Sequence, residues 1–106
     1  MKDYKVFTKQ AEKDRILVEF MEAQERDHWL HTINRQRYQS ILATAPAGKN
    51  AFRTRIEGLL AETEDRITEV EAIIAATISQ MPSAETIATI AIDLEAERTQ
   101  QRAQVR

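Results

Sequence analysis

The chain has 106 residues, a net charge of −2, 30% charged residues and no cysteine. A slightly negative net charge is not typical of a protein that binds polyanions in general. The absence of cysteine excludes disulfides, thiolate metal sites and cysteine nucleophiles. No apolar signal-like segment opens the sequence, and its longest uncharged stretch, residues 72–84, is interrupted by Pro82 and too short to span a bilayer. We therefore expect a soluble, cytoplasmic protein without a membrane contact.

Two short breaks divide the sequence into three predicted helices. At the first break, Pro46 disfavours helical geometry in the residue before it, Gly48 can adopt a positive φ, and Asn50 can cap the next helix. At the second, Pro82 is followed by Ser83, another good N-cap. We predict one helical domain over residues 1–106, with helix 1 over about 8–44, helix 2 over about 51–80, helix 3 over about 84–98, and a frayed tail over 99–106.

The second helix carries the most regular pattern of the chain. Its apolar seam alternates steps of four and three residues through Ile56, Leu60, Thr63, Ile67, Val70, Ile74, Thr77 and Met81. This heptad spacing is typical of a helix that packs along another helix, and Leu59 and Ile73 widen the stripe. A short connection favours antiparallel neighbours. The predicted fold class is therefore all-α: a long, coiled-coil-like antiparallel helical hairpin plus a short third helix.

The first helix has apolar side chains on two faces. At 100° per residue, one face is apolar at both ends and polar in its middle, and contains Ile16, Leu17, Phe20, Ala23, Gln24, Asp27, His31, Asn34, Tyr38, Ile41, Leu42 and Ala45. We expect this face to pack inside the hairpin. The opposite face carries Val18, Trp29 and Ile33, which predicts a second neighbour and hence a homo-oligomer interface. In the simpler interpretation, Trp29 is an isolated surface aromatic.

The polar middle of helix 1 is a weak candidate for a metal site. Glu25 and His28 have the Glu-x-x-His spacing of ferritin-like di-metal bundles, and Asp27, His28 and His31 are the candidate ligands. No glutamate of helix 2 lies on its seam, so no facing carboxylate completes the set. A polar layer that specifies register, half of a metal site shared by two subunits, and a solvated stretch are the alternatives. We predict no cofactor.

Charge is strongly segregated along the chain. Residues 28–56 contain no Asp or Glu, whereas residues 57–97 contain ten acidic residues and one basic residue, Arg66. An antiparallel hairpin brings the basic residues and two aromatics together at its loop end. We call this group the tip cluster, and it consists of Arg35, Arg37, Lys49, Arg53, Arg55, Tyr38 and Phe52. It can dock an acidic protein or a neighbouring protomer, bind nucleic acid, or act only as a solvated surface.

No catalytic motif is present in the sequence. The two glycines stand alone, no Gly-x-Ser-x-Gly pattern occurs, and the two histidines lie one turn apart. We therefore expect a non-enzymatic, oligomeric helical protein that acts as a structural or adaptor component of a larger assembly, such as a virion component or an assembly chaperone. The alternative is a helical nucleic-acid-binding regulator that uses the basic tip. A metal-binding helical bundle is the third hypothesis.

Overall fold

The computed structural model describes residues 2–48 and 50–104, and the side chains of residues 9–48 and 50–104. Within these ranges the chain forms three helices and no strand. The helices are α1 (Lys2–Thr44), α2 (Ala51–Ile78) and α3 (Ala84–Gln104). Helices α1 and α2 pack closely as a hairpin, which confirms the predicted all-α fold class. Among the described helices, none has a segment long and apolar enough to cross a membrane.

The helix bounds differ from the predicted ones at three places. Helix α1 begins before residue 8, since no glycine or proline interrupts the preceding residues. Helix α2 ends at Ile78, and the N–H of Gln80 then donates to the carbonyl of Thr77 at 2.9 Å in a tighter turn. Helix α3 continues to Gln104, so the predicted frayed tail is wrong for residues 99–104, which are all compatible with a helix. Residues 105–106 lie outside the described part.

The connections use the predicted turn and cap residues. Gly48 has a φ of 115°, a conformation that a side chain disfavours. The side-chain oxygen of Asn50 accepts the backbone N–H of Arg53 at 2.7 Å, and the hydroxyl of Ser83 accepts the N–H of Thr86 at 3.2 Å. Both are N-cap hydrogen bonds, which satisfy donors that the first helical turn leaves unpaired.

Contacts divide the chain into two compact units. Unit 2 is Ala23–Ala76, the C-terminal part of α1 with nearly all of α2. Unit 1 combines α1 up to Glu22 with the chain from Thr77 onward, which includes α3.

In unit 2, the core comes mainly from the predicted seam of α2. Ile56, Thr63, Ile67 and Val70 are buried, while Leu60 and Ile74 are partly exposed. The hydroxyl of Thr63 donates to the carbonyl of Leu59 at 2.8 Å, which satisfies this polar group within its own helix. The heptad prediction for α2 is therefore confirmed within unit 2.

The α1 side of unit 2 contributes partly covered and mostly polar side chains. They recur at heptad spacing through Gln24, His28, His31, Arg35, Tyr38 and Leu42. Two contacts show that the helices are antiparallel. His28 Nε2 lies 3.1 Å from Glu71 Oε1, and Arg53 Nη1 donates to the carbonyl of Leu42 at 3.3 Å, so residue numbers rise on α1 as they fall on α2.

The predicted inner face of α1 is partly wrong. Asp27, Ile16 and Phe20 are exposed, whereas Val18, which was assigned to the outer face, is only 3% exposed. The prediction used a straight projection of 100° per residue. In unit 2 the covered positions instead keep the 3.5-residue repeat of a helix packed along a partner, which leaves Asp27 outside the seam. Ile16, Phe20 and Val18 belong to unit 1, where α1 has α3 as a further neighbour.

In unit 1, α3 lies beside α1 and runs in the same direction. The Arg15 guanidinium makes a two-pronged pair with the Glu97 carboxylate, and Arg98 Nη2 lies 2.9 Å from Glu22 Oε2. Earlier on both helices, Gln10 lines a shallow hollow with Glu85 and Thr86, so residue numbers rise together on α1 and α3. Val18, Met21 and Leu94 are buried here. Val18 lies between Arg15 and Glu22, the two α1 residues that pair with α3, and its burial removes it from the surface.

The first prediction concerns the seam of α2. Ile67 is 4% exposed. Replacement of Ile67 by Ala should therefore lower the free energy of unfolding by about 2–4 kcal/mol, because burial is lost and a cavity remains. The matched control is Glu64→Ala, an exposed change on the same helix. Urea unfolding followed by circular dichroism measures both. Equal changes in the free energy of unfolding for the two variants would contradict the assignment of Ile67 to the buried seam.

A second prediction concerns the Arg15–Glu97 pair. Its hydrogen bonds lower the pKa of Glu97 below the ordinary value of 4.5. Because the folded-state pKa is depressed, the pair stabilises the protein above about pH 4.5, and this stability is lost as the pH falls through the folded-state pKa. Wild type should therefore melt higher than Glu97→Gln near pH 7, and the difference should decrease as the solution is acidified below pH 4.5.

Both side chains of this pair are about half exposed, so the difference should be small and should decrease with added salt. The control is Glu95→Gln, which removes a carboxylate that pairs with Arg102 on the same helix and not with α1. A melting difference that is unchanged between pH 7 and pH 3 would contradict the assignment.

Candidate docking surfaces of the hairpin

Arg53 is a structural residue of the hairpin tip. Its guanidinium donates to the carbonyl of Leu42 at 3.3 Å and lies 3.1 Å from the carboxylate of Glu57. Leu42 is in the last turn of α1, where carbonyls lack helical partners and a cation is favoured. The side chain therefore joins the start of α2 to the end of α1. The sequence contained one signal for this role, the i, i+4 spacing of Arg53 and Glu57.

The other described arginines of the tip cluster differ from Arg53. Arg35, Arg37 and Arg55 make no ion pair with any residue of the described ranges. Arg37 and Arg55 are exposed, whereas Arg35 is partly covered on the α1 seam. Lys49 lies outside the described residues. The tip thus presents two exposed guanidinium groups without a carboxylate to neutralise them.

The two aromatic residues of the tip cluster also have different environments. Phe52 is 56% exposed and precedes Arg55 by one turn on α2, so an apolar ring and an unpaired cation share one surface. Tyr38 is partly covered and belongs to the seam of α1. The tip cluster therefore separates into an exposed part, with Phe52 and Arg55, and a part that packs within the hairpin, with Tyr38 and Arg35.

The face of α1 that is opposite its seam carries large apolar groups in unit 2. Trp29 is 61% exposed, Leu30 is exposed, and Ile33 is partly exposed. Helix geometry places Ile33 about 180° and Trp29 about 140° from the mean direction of the seam, so both lie on the side of α1 that faces away from α2. The predicted oligomer interface of Val18, Trp29 and Ile33 must be corrected at Val18, because Val18 is buried within unit 1 and only 3% exposed. Trp29 and Ile33 remain surface positions.

The predicted metal ligands are not brought together. Asp27 is exposed, His28 pairs with Glu71 across the hairpin, and His31 is partly covered. In the described part of the chain, no three histidine or carboxylate side chains are placed to hold a metal ion. No buried side-chain nitrogen or oxygen of the described residues lacks a hydrogen-bond partner. The polar middle of α1 is therefore a half-covered layer, in which Gln24 and Asn34 are also partly exposed.

Comparisons with protein-family models, with curated proteins and with solved structures find no match to this chain. Its function is therefore inferred from the chemistry of its own described residues.

The contrast between the two neighbouring arginines can be tested. Arg53→Ala removes a hydrogen bond to an orphaned helix carbonyl, and we expect a loss of about 0.5–1.5 kcal/mol in the free energy of unfolding. Arg55→Ala removes an exposed, unpaired cation near a helix N-terminus, where cations are disfavoured. It should change stability by less than about 0.5 kcal/mol. Urea unfolding of both variants measures this, and equal losses would contradict the role of Arg53.

Proposed function

We propose that the protein is a non-enzymatic helical component of a larger protein assembly, in which it acts as a structural or adaptor subunit. It self-associates and also docks an acidic partner protein with the exposed part of its tip. The observation that carries the proposal is the pair formed by Phe52 and Arg55, an exposed ring beside an exposed cation that has no ion-pair partner in the described part of the chain.

The tip arginines favour a docking role because their arrangement has an electrostatic cost. Arg55 lies in the second turn of α2, close to the other cations of the tip cluster, and residues 28–56 offer no carboxylate to compensate for their repulsion. A partner that supplies carboxylates removes this cost. Arginine and aromatic residues are also the side chains most enriched at the centres of protein interfaces.

A nucleic acid is the alternative partner for the same surface. Arginine and phenylalanine suit phosphate contacts and base stacking. The cationic surface is small, however, and the chain as a whole has a net charge of −2 with ten acidic residues between 57 and 97. A polyanion as long as DNA meets this acidic part as well, whereas a short acidic segment of a protein need not. The balance of charge therefore favours a protein partner.

Self-association is supported by a separate surface, the exposed face of α1. Trp29 and Leu30 are adjacent large apolar side chains on a helix whose other side already packs in the hairpin. Large aromatic groups that remain exposed beside a second apolar residue are typical of contact surfaces. Docking through one surface and self-association through another is what an adaptor within an assembly requires.

The tip can be tested with a charge reversal. Arg55→Glu should weaken binding of a fluorescent polyglutamate peptide by about tenfold or more, since one attractive contact is replaced by a repulsive one. Phe52→Ala should weaken binding to a smaller extent. The matched control is Arg66→Glu, the same change at an exposed arginine of the same helix outside the tip, and it should have little effect. Fluorescence anisotropy measures binding, and circular dichroism checks folding.

A labelled DNA duplex provides the competing measurement. If the duplex binds more tightly than the peptide, and its affinity falls steeply with salt and on Arg55→Glu, the nucleic-acid alternative replaces the proposal. Equal weakening by Arg55→Glu and Arg66→Glu would show that only overall charge matters. Absence of binding to either probe would overturn the docking role of the tip.

A further inference from the structure

We infer that two copies of this chain form an antiparallel dimer through the exposed face of α1, with the two-fold axis near Ile33. The face consists of Arg26, Trp29, Ile33, Gln36, Arg37 and Ser40, and is called the α1 face below. The dimer rests on the self-association proposed above and adds its geometry, since it assigns which residues of one copy meet which residues of the other.

The α1 face is self-complementary about Ile33. Trp29 and Arg37 lie four residues before and after Ile33, on the same ridge of the helix. A two-fold interface requires that residue i contacts residue j and that j contacts i. An antiparallel pairing centred on Ile33 satisfies this condition, because Trp29 of each copy meets Arg37 of the other and the two Ile33 side chains meet at the axis.

A shallow hollow on α1 receives the indole ring in this arrangement. It is open to solvent and is lined by Ile33, Gln36, Arg37, Ser40 and Ile41. It therefore begins at the proposed axis and extends toward the end of α1, which is where the antiparallel copy places its Trp29. When ridges at i±4 spacing pack into such grooves, helices cross at an angle of about 50°. In the proposed dimer, Trp29 of each copy therefore inserts into the hollow of the other copy.

Charge distinguishes an antiparallel pair from a parallel one. Residues 25–32 contain the carboxylates of Glu25 and Asp27 beside one arginine, Arg26, whereas residues 33–40 contain only the cations Arg35 and Arg37. Of the two carboxylates, Glu25 is the one at the edge of the α1 face. An antiparallel pair places Glu25 within one turn of Arg37 of the other copy and allows the Arg37 guanidinium to lie against the indole of Trp29. A parallel pair places Arg37 against Arg37. Neither Glu25 nor Arg37 has an ion-pair partner among the described residues.

The helix dipole favours the same orientation. Helix α1 ends at Thr44, so Ser40 lies near its negative C-terminal end. The antiparallel pair brings Arg26 of the other copy to this position, where a cation is stabilised. The apolar residues at the centre of the α1 face, the order of charges along this part of α1 and the helix dipole therefore all favour the same occupant. That occupant is a second copy of this chain in the antiparallel orientation.

Self-association itself is tested by mass and fluorescence. Trp29 is the only tryptophan of the chain, so indole emission reports directly on the α1 face. Multi-angle light scattering should give the mass of a dimer at high concentration. Dilution should shift the emission to longer wavelength over the concentration range in which the mass falls. The variant Trp29→Ala should weaken the dimer by about tenfold or more, whereas Phe20→Ala, at another exposed aromatic of α1, should leave it intact.

The register is tested by cysteine cross-linking, for which a chain without cysteine is a clean background. Ile33→Cys should form a disulfide-linked dimer under mild oxidation. Arg26→Cys and Ser40→Cys leave the Trp29–Arg37 contact in place, and neither variant alone should be cross-linked by a short bismaleimide. A mixture of the two variants should be cross-linked, because the proposed register places residue 26 of one copy opposite residue 40 of the other. Gln39→Cys, an exposed position outside the α1 face, is the control and should not cross-link.

The outcomes separate the dimer geometry from the proposed function. The antiparallel dimer would be overturned if the mass is dimeric but Ile33→Cys forms no cross-link, or if Gln39→Cys cross-links as well as Ile33→Cys does. Self-association would remain in both cases. A monomeric mass at every concentration would overturn both the dimer and self-association. Binding of the acidic peptide by the tip does not depend on either result, because Phe52 and Arg55 lie on α2 and outside the α1 face.

Discussion

The heptad seam of α2 is the constraint on which the hairpin depends. Ile56, Thr63, Ile67 and Val70 are buried at steps of seven, four and three residues, a spacing that only a helix packed along a second helix can use. The hydroxyl of Thr63 is satisfied by its own helix, so it leaves no buried polar group unpaired. This seam requires a covering helix, and the short connection between α1 and α2 makes α1 run antiparallel beside it. That orientation brings the end of α1 and the start of α2 together at the tip.

The cover that α1 provides is unusual in its chemistry. No α1 residue of unit 2 is buried, and His28, His31, Arg35 and Tyr38 are each half covered. Such side chains can place an apolar ring or stem over the seam and keep a polar end in water. The polar middle of α1 is therefore explained as a packing layer, and the His28–Glu71 contact at 3.1 Å links it to α2. Since these residues fill one side of α1, Trp29 has to project from the other.

The functional proposals follow from groups that the hairpin leaves without partners. Arg53 is used internally at the tip, and Arg55, two residues later, is not. A similar contrast separates two apolar residues of α1, since Val18 is buried in unit 1 and Trp29 is 61% exposed. In each pair the two residues belong to the same class, cationic or apolar, and what packs beside them decides which one stays available.

Several features were determined by the sequence itself, because they depend on local chemistry. Gly48, Asn50 and Ser83 act as the predicted turn and cap residues. The buried seam of α2 was predicted from the four- and three-residue spacing of its apolar residues. Only the tertiary structure decided that Val18 is buried and that Arg53 binds the carbonyl of Leu42. Both facts depend on contacts with another helix. A projection of one helix can show which residues share a face, but it does not contain the neighbour that covers that face or the carbonyl that a long side chain reaches.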